Sequence, residues 1–158
     1  MGIEMSGLRA KTMGLLAVGF IALVGTMLAD SPASAQKAPD PFTQEVLVKA
    51  TLLTFNDANV TGNYTVMHAK LSKPFRDEFS PERLAAAFKV FRDNRIDFDL
   101  IVAKPPVESQ PARASDKGVL MLYGHFDTTP SRVHYELEYI MSDGEWRPIR
   151  INVQLKKP

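Results

Sequence analysis

The chain has 158 residues, of which 19 are basic and 18 acidic, so its formal net charge is +1. This balance, without any run of like charges, argues against a protein that binds nucleic acid. The sequence contains no cysteine, which excludes disulfide bonds and thiolate chemistry.

The N-terminus has the pattern of an export signal. Arg9 and Lys11 precede an apolar segment from Met13 to Leu28, and Ala33-Ser34-Ala35 supplies the small residues of an A-x-A cleavage site. This pattern predicts a Sec-type signal peptide over residues 1–35 and a mature protein in the periplasm or outside the cell. The apolar segment is somewhat long for a signal peptide, so an uncleaved membrane anchor is the alternative.

The remainder is expected to form one domain without membrane contact after cleavage. Residues 36–40 are predicted to be a linker and residues 41–158 the domain. Asp40-Pro41 is typical of a helix start, and Gly62 of a helix end. The intervening segment is apolar on two faces, which predicts a central helix buried on both of them.

Shorter helices are predicted next. Asn63 can cap a helix with Tyr64 and His68 on one side, and Ser72 can begin another turn. Ser80-Pro81-Glu82 is a clear helix start, and this helix is predicted to end at Asn94.

The segment from Arg95 to Lys104 alternates between apolar and polar residues, which predicts a half-buried strand. Asp97 and Asp99 then lie on the solvent side of that strand. A carboxylate pair for acid–base chemistry is the sharper interpretation of these residues, but the solvated strand face is favoured. The next segment, 105–117, is predicted to be a loop with at most a strand fragment near Val107.

The last forty residues contain a hairpin whose register follows from the sequence. With Asp127 opposite Arg132, one face of the two strands is apolar and the other polar, and a shift of one residue would mix the two sets. The predicted pairs on the two faces are Phe126–Val133, Gly124–Tyr135, Leu122–Leu137 and Leu120–Tyr139, then His125–His134, Tyr123–Glu136 and Met121–Glu138.

A third strand follows Asp143-Gly144. A three-residue loop with Gly144 in the left-handed conformation would place Ile149 on the apolar face and Arg150 opposite Glu136. This arrangement is preferred, and it leaves Trp146 on the outer face. The alternative is a bulge at Arg147-Pro148, which would turn Trp146 inward.

Several residues are candidates for a ligand site. His68 and Tyr64 on the second helix, with Tyr135 and Tyr139 on the apolar sheet face, could line a pocket between helices and sheet. A backbone-bonded His68 and tyrosines at the rim of the core are the plainer interpretations, and they are favoured. His125 and His134 are weak candidates for a metal site, and no metal or other cofactor is expected.

The outer sheet face is a candidate interface between two copies of the chain. The preferred register brings four large apolar side chains together there, and such a patch is unusual on a monomer. These residues are Val119, Met121, Ile140 and Trp146. The alternative is that segment 105–117 folds back and covers them.

Helices followed by a curved, mostly antiparallel sheet of about four strands make an α+β fold. The segments LLTFNDANVTGNYTVMHAKLSKPFRDEFSPERLAAAF, GVLMLYGHF and VHYELEYIMSDGEWRPIRINV resemble small secreted proteins of the NTF2-like superfamily, which has the cystatin-like fold. The resemblance spans nearly all of residues 41–155. It implies a cone between helices and sheet that can hold a ligand.

The superfamily includes enzymes and non-catalytic binding domains, so the fold alone does not decide between them. The expected function is an exported, non-catalytic domain that binds a small apolar ligand, a second copy of itself or another protein. The alternative is a cofactor-free isomerase or hydrolase similar to ketosteroid isomerase. The positions that such an enzyme uses cannot be matched here, so no catalytic residue is assigned.

Overall fold

The computed structural model describes residues 37–157. The predicted signal peptide and its cleavage site therefore lie outside the described residues. The described part consists of helices followed by a four-stranded antiparallel sheet, which confirms the predicted α+β class.

The first helix, α1 (Pro41–Thr61), begins and ends where the sequence predicts. Asp40 caps it by accepting a hydrogen bond from the Thr43 amide at 3.1 Å, and Pro41 occupies the first turn, where its missing N–H costs nothing. Gly62, with φ +73°, ends the helix in the left-handed conformation that favours glycine. One face of α1, which includes Leu52 and Phe55, is buried in the core.

Four short helices follow, and they are α2 (Thr65–Lys70), α3 (Lys73–Glu78), α4 (Pro81–Ala87) and α5 (Lys89–Asp93). Ser80 caps α4 as predicted, accepting from the Arg83 amide at 3.3 Å. The single helix predicted up to Asn94 is interrupted at Phe88, whose ring packs edge-on against Phe55 at 4.7 Å between centroids.

The prediction of a strand from Arg95 to Lys104 is wrong. Residues Asp99–Ala103 form a 3-10 helix instead, and Leu100 and Val102, predicted to be buried, are each 62% exposed. The reason is a polar contact from another element. The buried Asn56 on α1 holds this segment by hydrogen bonds, so tertiary contacts override the local alternation.

The sheet has the order β1 (Val107–Ala114), β2 (Leu120–Phe126), β3 (Arg132–Ser142) and β4 (Glu145–Lys156). Strand β1 replaces the loop predicted for this region, and it tolerates Pro111 because it lies at the sheet edge with shifts in its register. All seven predicted pairs between β2 and β3 are confirmed.

The predicted arrangement of the second hairpin is wrong, and the alternative is close to the structure. Asp143 and Gly144 form a two-residue turn, both with positive φ, and the register then shifts between the partners of Glu138 and Tyr139. Tyr139 faces Pro148 and Glu138 faces Arg150, so Ile149 is the extra residue of a bulge.

The bulge restores the pattern of the sheet faces on either side of it. Ile151 and Val153 pair with Leu137 and Tyr135 on the inner face, while Trp146 also packs against the core from the inner side. Trp146 is therefore not on the outer face, where the preferred register placed it.

Candidate functional site

A large cleft lies between the helices α1 and α2 and the strands β3 and β4. Its volume is about 590 Å³, and its walls are mostly apolar. The residues that line it are Leu47, Ala50, Thr51, Thr54, Thr65, Val66, Met67, Ala69, Lys70, Leu71, Tyr139, Glu145, Trp146, Arg147, Pro148 and Ile151. We call it the main cleft.

Local sequence explains how these side chains meet. Leu47, Thr51 and Thr54 are spaced by four and three residues, so they share one face of α1, next to the face that enters the core. Strand β4 supplies Trp146 because the bulge at Ile149 changes which side chains point inward. The prediction that a second apolar face of α1 is buried is only partly right, because Leu53 packs against the core but Val46 is 49% exposed, and neither of them lines the cleft.

A chain of hydrogen bonds crosses the floor of the main cleft. The Tyr139 hydroxyl donates to the Leu47 carbonyl at 3.1 Å and lies 3.0 Å from the Thr51 hydroxyl. Since the single Tyr139 proton goes to the carbonyl, Thr51 is the donor in the second contact. Burial raises the pKa of Tyr139, so this hydroxyl stays protonated.

Two cations, Lys70 and Arg147, line the cleft, and their surroundings differ. The Lys70 ammonium donates to the Thr54 hydroxyl at 2.9 Å. Within residues 37–157, no carboxylate lies within ion-pair distance of Lys70.

Arg147, by contrast, is held by several partners. Its guanidinium donates to the Ala69 carbonyl at 2.9 Å, and it lies 3.5 Å from the Asp143 carboxylate and 3.4 Å from Glu145. Asp143 also accepts a hydrogen bond from Arg76, which lowers the pKa of this carboxyl and keeps it charged. Arg147 therefore has two carboxylates within ion-pair distance, although its buried Nε atom has no hydrogen-bond partner among the described residues.

A second, smaller cleft of about 170 Å³ lies between α1 and the β1–β2 edge of the sheet. Tyr135 lines it together with the carboxylates of Glu45 and Glu108. Burial raises the pKa of Tyr135, and these two negative charges raise it further. Glu45 is paired with Lys49 at 2.7 Å, and no hydrogen bond joins Tyr135 to a carboxylate within the described residues.

The four predicted pocket residues do not meet in one site. Tyr139 lines the main cleft and Tyr135 the smaller one. Tyr64 is buried in the core, where its hydroxyl donates to Asn59, and burial raises its pKa. His68 lies 3.3 Å from the Arg76 carbonyl, which is the backbone contact favoured from the sequence.

His125 and His134 face each other on the outer sheet face as predicted, with ring centroids 5.2 Å apart. Asp127 lies 3.4 Å from His125 but is also bound by Arg132 at 2.7 Å. Among residues 37–157, no group of three or more His, Cys, Asp or Glu side chains is arranged to hold a metal ion.

Trp146 does not belong to the interface patch that was predicted on the outer sheet face. Met121 and Ile140 lie on the outer face by their positions in β2 and β3, and Val119 directly precedes β2. Trp146 instead belongs to the inner surface, so the four residues do not form one patch. Next to the remaining residues, Glu138 accepts hydrogen bonds from Tyr123 at 3.2 Å and from Arg150 at 2.9 Å.

Lys70, Thr51 and Thr54 were not identified from the sequence as site residues. Nothing in the sequence marks these three residues as special, because lysine and threonine are common on the exposed faces of helices. Only the bulge in β4 and the approach of α2 to that strand bring them opposite Trp146.

No protein-family model matches the chain, and neither a curated protein nor a solved structure shows significant similarity to it. Within the part that the structure describes, no helix is both long enough and apolar enough to cross a membrane.

Proposed function

We propose that the chain is an exported, non-catalytic domain of the NTF2-like type that binds a small apolar ligand in the main cleft. The observation that carries this proposal is the cleft itself. A volume of about 590 Å³ suits a small organic molecule, and apolar walls with a few fixed polar groups are typical of ligand sites.

The walls of the cleft supply the affinity in this proposal. Leu47, Met67, Trp146 and Ile151 surround the space with aliphatic, thioether and aromatic surface. Removing apolar surface from water is favourable by roughly 25 cal/mol per Å², so a ligand that covers these side chains gains binding energy from both partners. Because the Thr51 proton goes to Tyr139, the Thr51 oxygen can orient the ligand only by accepting a hydrogen bond from it.

Export is supported by the sequence pattern at residues 1–35, and it makes a separate prediction about the mature protein. The intact mass of protein recovered from the periplasm or the medium should correspond to a chain that begins at Gln36. A product that retains the segment from Met13 to Leu28 would establish the membrane anchor instead.

The chain carries its own probe for ligand binding, because its single tryptophan, Trp146, lines the main cleft. Titration with the neutral fluorophore N-phenyl-1-naphthylamine should change the Trp146 emission and saturate. Ala50→Phe places a ring inside the cleft and should weaken this binding at least tenfold.

The matched control is Ala86→Phe, an exposed alanine on α4 that does not line the cleft. This variant should bind the fluorophore as the parent does. Equal loss in both variants, or no saturable binding by the parent, would contradict the proposal.

The smaller cleft gives the enzyme alternative its specific support. Tyr135 and the carboxylates of Glu45 and Glu108 line this space. A neutral tyrosine and a carboxylate are the acid and base groups that a cofactor-free isomerase uses. Turnover of a Δ5-3-ketosteroid or of a simple ester that is lost in both Tyr135→Phe and Glu108→Gln would favour catalysis over simple binding.

A further inference from the structure

We infer that the main cleft is selective for an apolar ligand that ends in a carboxylate, and that Lys70 and Thr54 bind this head group. The inference rests on the proposed function and specifies its ligand class. It follows from the distribution of charge and of hydrogen-bond donors around the cleft.

The two cations of the cleft differ in what they can offer a ligand. Arg147 donates to the Ala69 carbonyl and already has the carboxylates of Asp143 and Glu145 within ion-pair distance, so its charge is balanced in part by the protein. Lys70 has three ammonium protons, of which the described residues use one, in the bond to Thr54. It also has no carboxylate partner within residues 37–157, so its positive charge is available to an anion in the cleft.

Thr54 adds a second donor beside the ammonium group. Its oxygen already accepts from Lys70, and within residues 37–157 its own proton has no acceptor. A carboxylate has two oxygens, so it can accept from the Lys70 ammonium with one and from the Thr54 hydroxyl with the other. Hydrogen bonds to a charged group are roughly twice as strong as those between neutral groups, which favours a carboxylate over an alcohol.

The position of this donor pair also orients the ligand. Lys70 is exposed on α2 and is bonded to Thr54 of α1, whereas Met67 is buried and Trp146 half-buried in the apolar wall. A ligand with its head group on Lys70 therefore places its hydrocarbon part on that wall. An ammonium head group at this position would instead meet a lysine of the same charge, and Glu145, the one carboxylate in the lining, already lies 3.4 Å from Arg147.

The test uses the mature chain and three probes that share a ten-carbon tail, namely decanoate, decanol and decylamine. Binding is followed by Trp146 fluorescence and by calorimetry at concentrations below micelle formation. We expect decanoate to bind most tightly, with decanol about tenfold weaker and decylamine weaker still.

Lys70→Met should weaken decanoate about tenfold and leave decanol unchanged, because the variant removes the charge and keeps an apolar stem. Lys73→Met is the matched control, since Lys73 is an exposed lysine that pairs with Asp77 at 2.6 Å on α3, away from the lining of the cleft. It lowers the net charge equally and should leave decanoate affinity unchanged.

The outcomes separate the inference from the proposed function. Equal affinities for decanoate and decanol, or equal effects of the two lysine variants, would overturn the carboxylate selectivity while the cleft remained a ligand site. Absence of saturable binding by all three probes would overturn both. A salt-dependent decanoate affinity that Lys70→Met abolishes would support the assignment of the head group.

Discussion

The ring of Tyr135 occupies the space that a side chain at Gly124 would need. The two residues pair across β2 and β3, and a Cβ atom on Gly124 would lie 2.5 Å from the Tyr135 hydroxyl oxygen. It would also clash with the Val107 carbonyl oxygen on β1. Glycine is therefore required here by the close approach of three strands.

Gly124→Ala should destabilise the domain by about 1–3 kcal/mol, the usual cost of overpacking. The free energy of unfolding from urea titration measures this change. Because the Val107 carbonyl belongs to the backbone, trimming the ring with Tyr135→Phe should recover only part of the loss in the double variant. A Gly124→Ala protein as stable as the parent would show that the strands separate easily at this point.

The register of the first hairpin could be predicted because the apolar residues of β2 and β3 lie almost entirely on one face and the polar residues on the other. The pairs from Phe126–Val133 to Leu120–Tyr139 leave no second register that keeps the core apolar. The second hairpin could not be predicted in the same way, because the Asp-Gly turn shifts the inner and outer positions of β4 by one residue and the bulge shifts them back. Whether the bulge forms depends on how Pro148 fits the edge of the sheet, and the local sequence pattern does not encode this fit.

The side-chain contacts of Asp97 and Asp99 could not be predicted from the local sequence either. Asn56 on α1 is 1% exposed, and its amide nitrogen donates to Asp97 at 2.9 Å and to Asp99 at 2.7 Å. Its oxygen accepts from the Phe98 amide at 3.1 Å. Residues that lie forty positions apart in sequence form this contact, so the alternating pattern around Phe98 predicted a strand instead.

Asn56→Asp should therefore destabilise the fold in a pH-dependent way. At pH 7 a third carboxylate would face Asp97 and Asp99 without a donor between them, and we expect a loss of about 3 kcal/mol or more. Protonation relieves this repulsion, so thermal denaturation should show part of the loss recovered near pH 4. Asn56→Ala should lose about 2–3 kcal/mol with a much weaker dependence on pH, and equal pH profiles for the two variants would contradict the argument.

The inward position of Trp146 changes how self-association must be tested. A homodimer through the outer face stays a prediction, with Met121 and Ile140 as its apolar centre and Glu138 and Arg150 as polar neighbours. We expect the parent to sediment as a dimer at tens of micromolar and Ile140→Glu to sediment as a folded monomer. Trp146→Glu should keep the dimer and lose binding in the main cleft. A monomeric parent, or a dimer unaffected by Ile140→Glu, would reject this interface.

His134 should make the domain less stable as the pH falls below about 6.5. Burial lowers the pKa of His134, and the positive charges of Lys156, His125 and Arg132 lower it further. Between this lowered pKa and the usual value of about 6.5 the unfolded chain binds more protons than the folded one, so the free energy of unfolding decreases as the pH decreases. The stability that the neutral form of His134 contributes is fully present above pH 6.5 and is lost as the pH falls through the pKa of the folded state.

Urea midpoints at pH 7.5 and 5.5 should therefore differ less in His134→Gln than in the parent. Lys156→Gln removes the strongest of the three neighbouring charges and should reduce the difference in part, whereas a His134→Gln protein with the full pH dependence of the parent would assign the effect to another group.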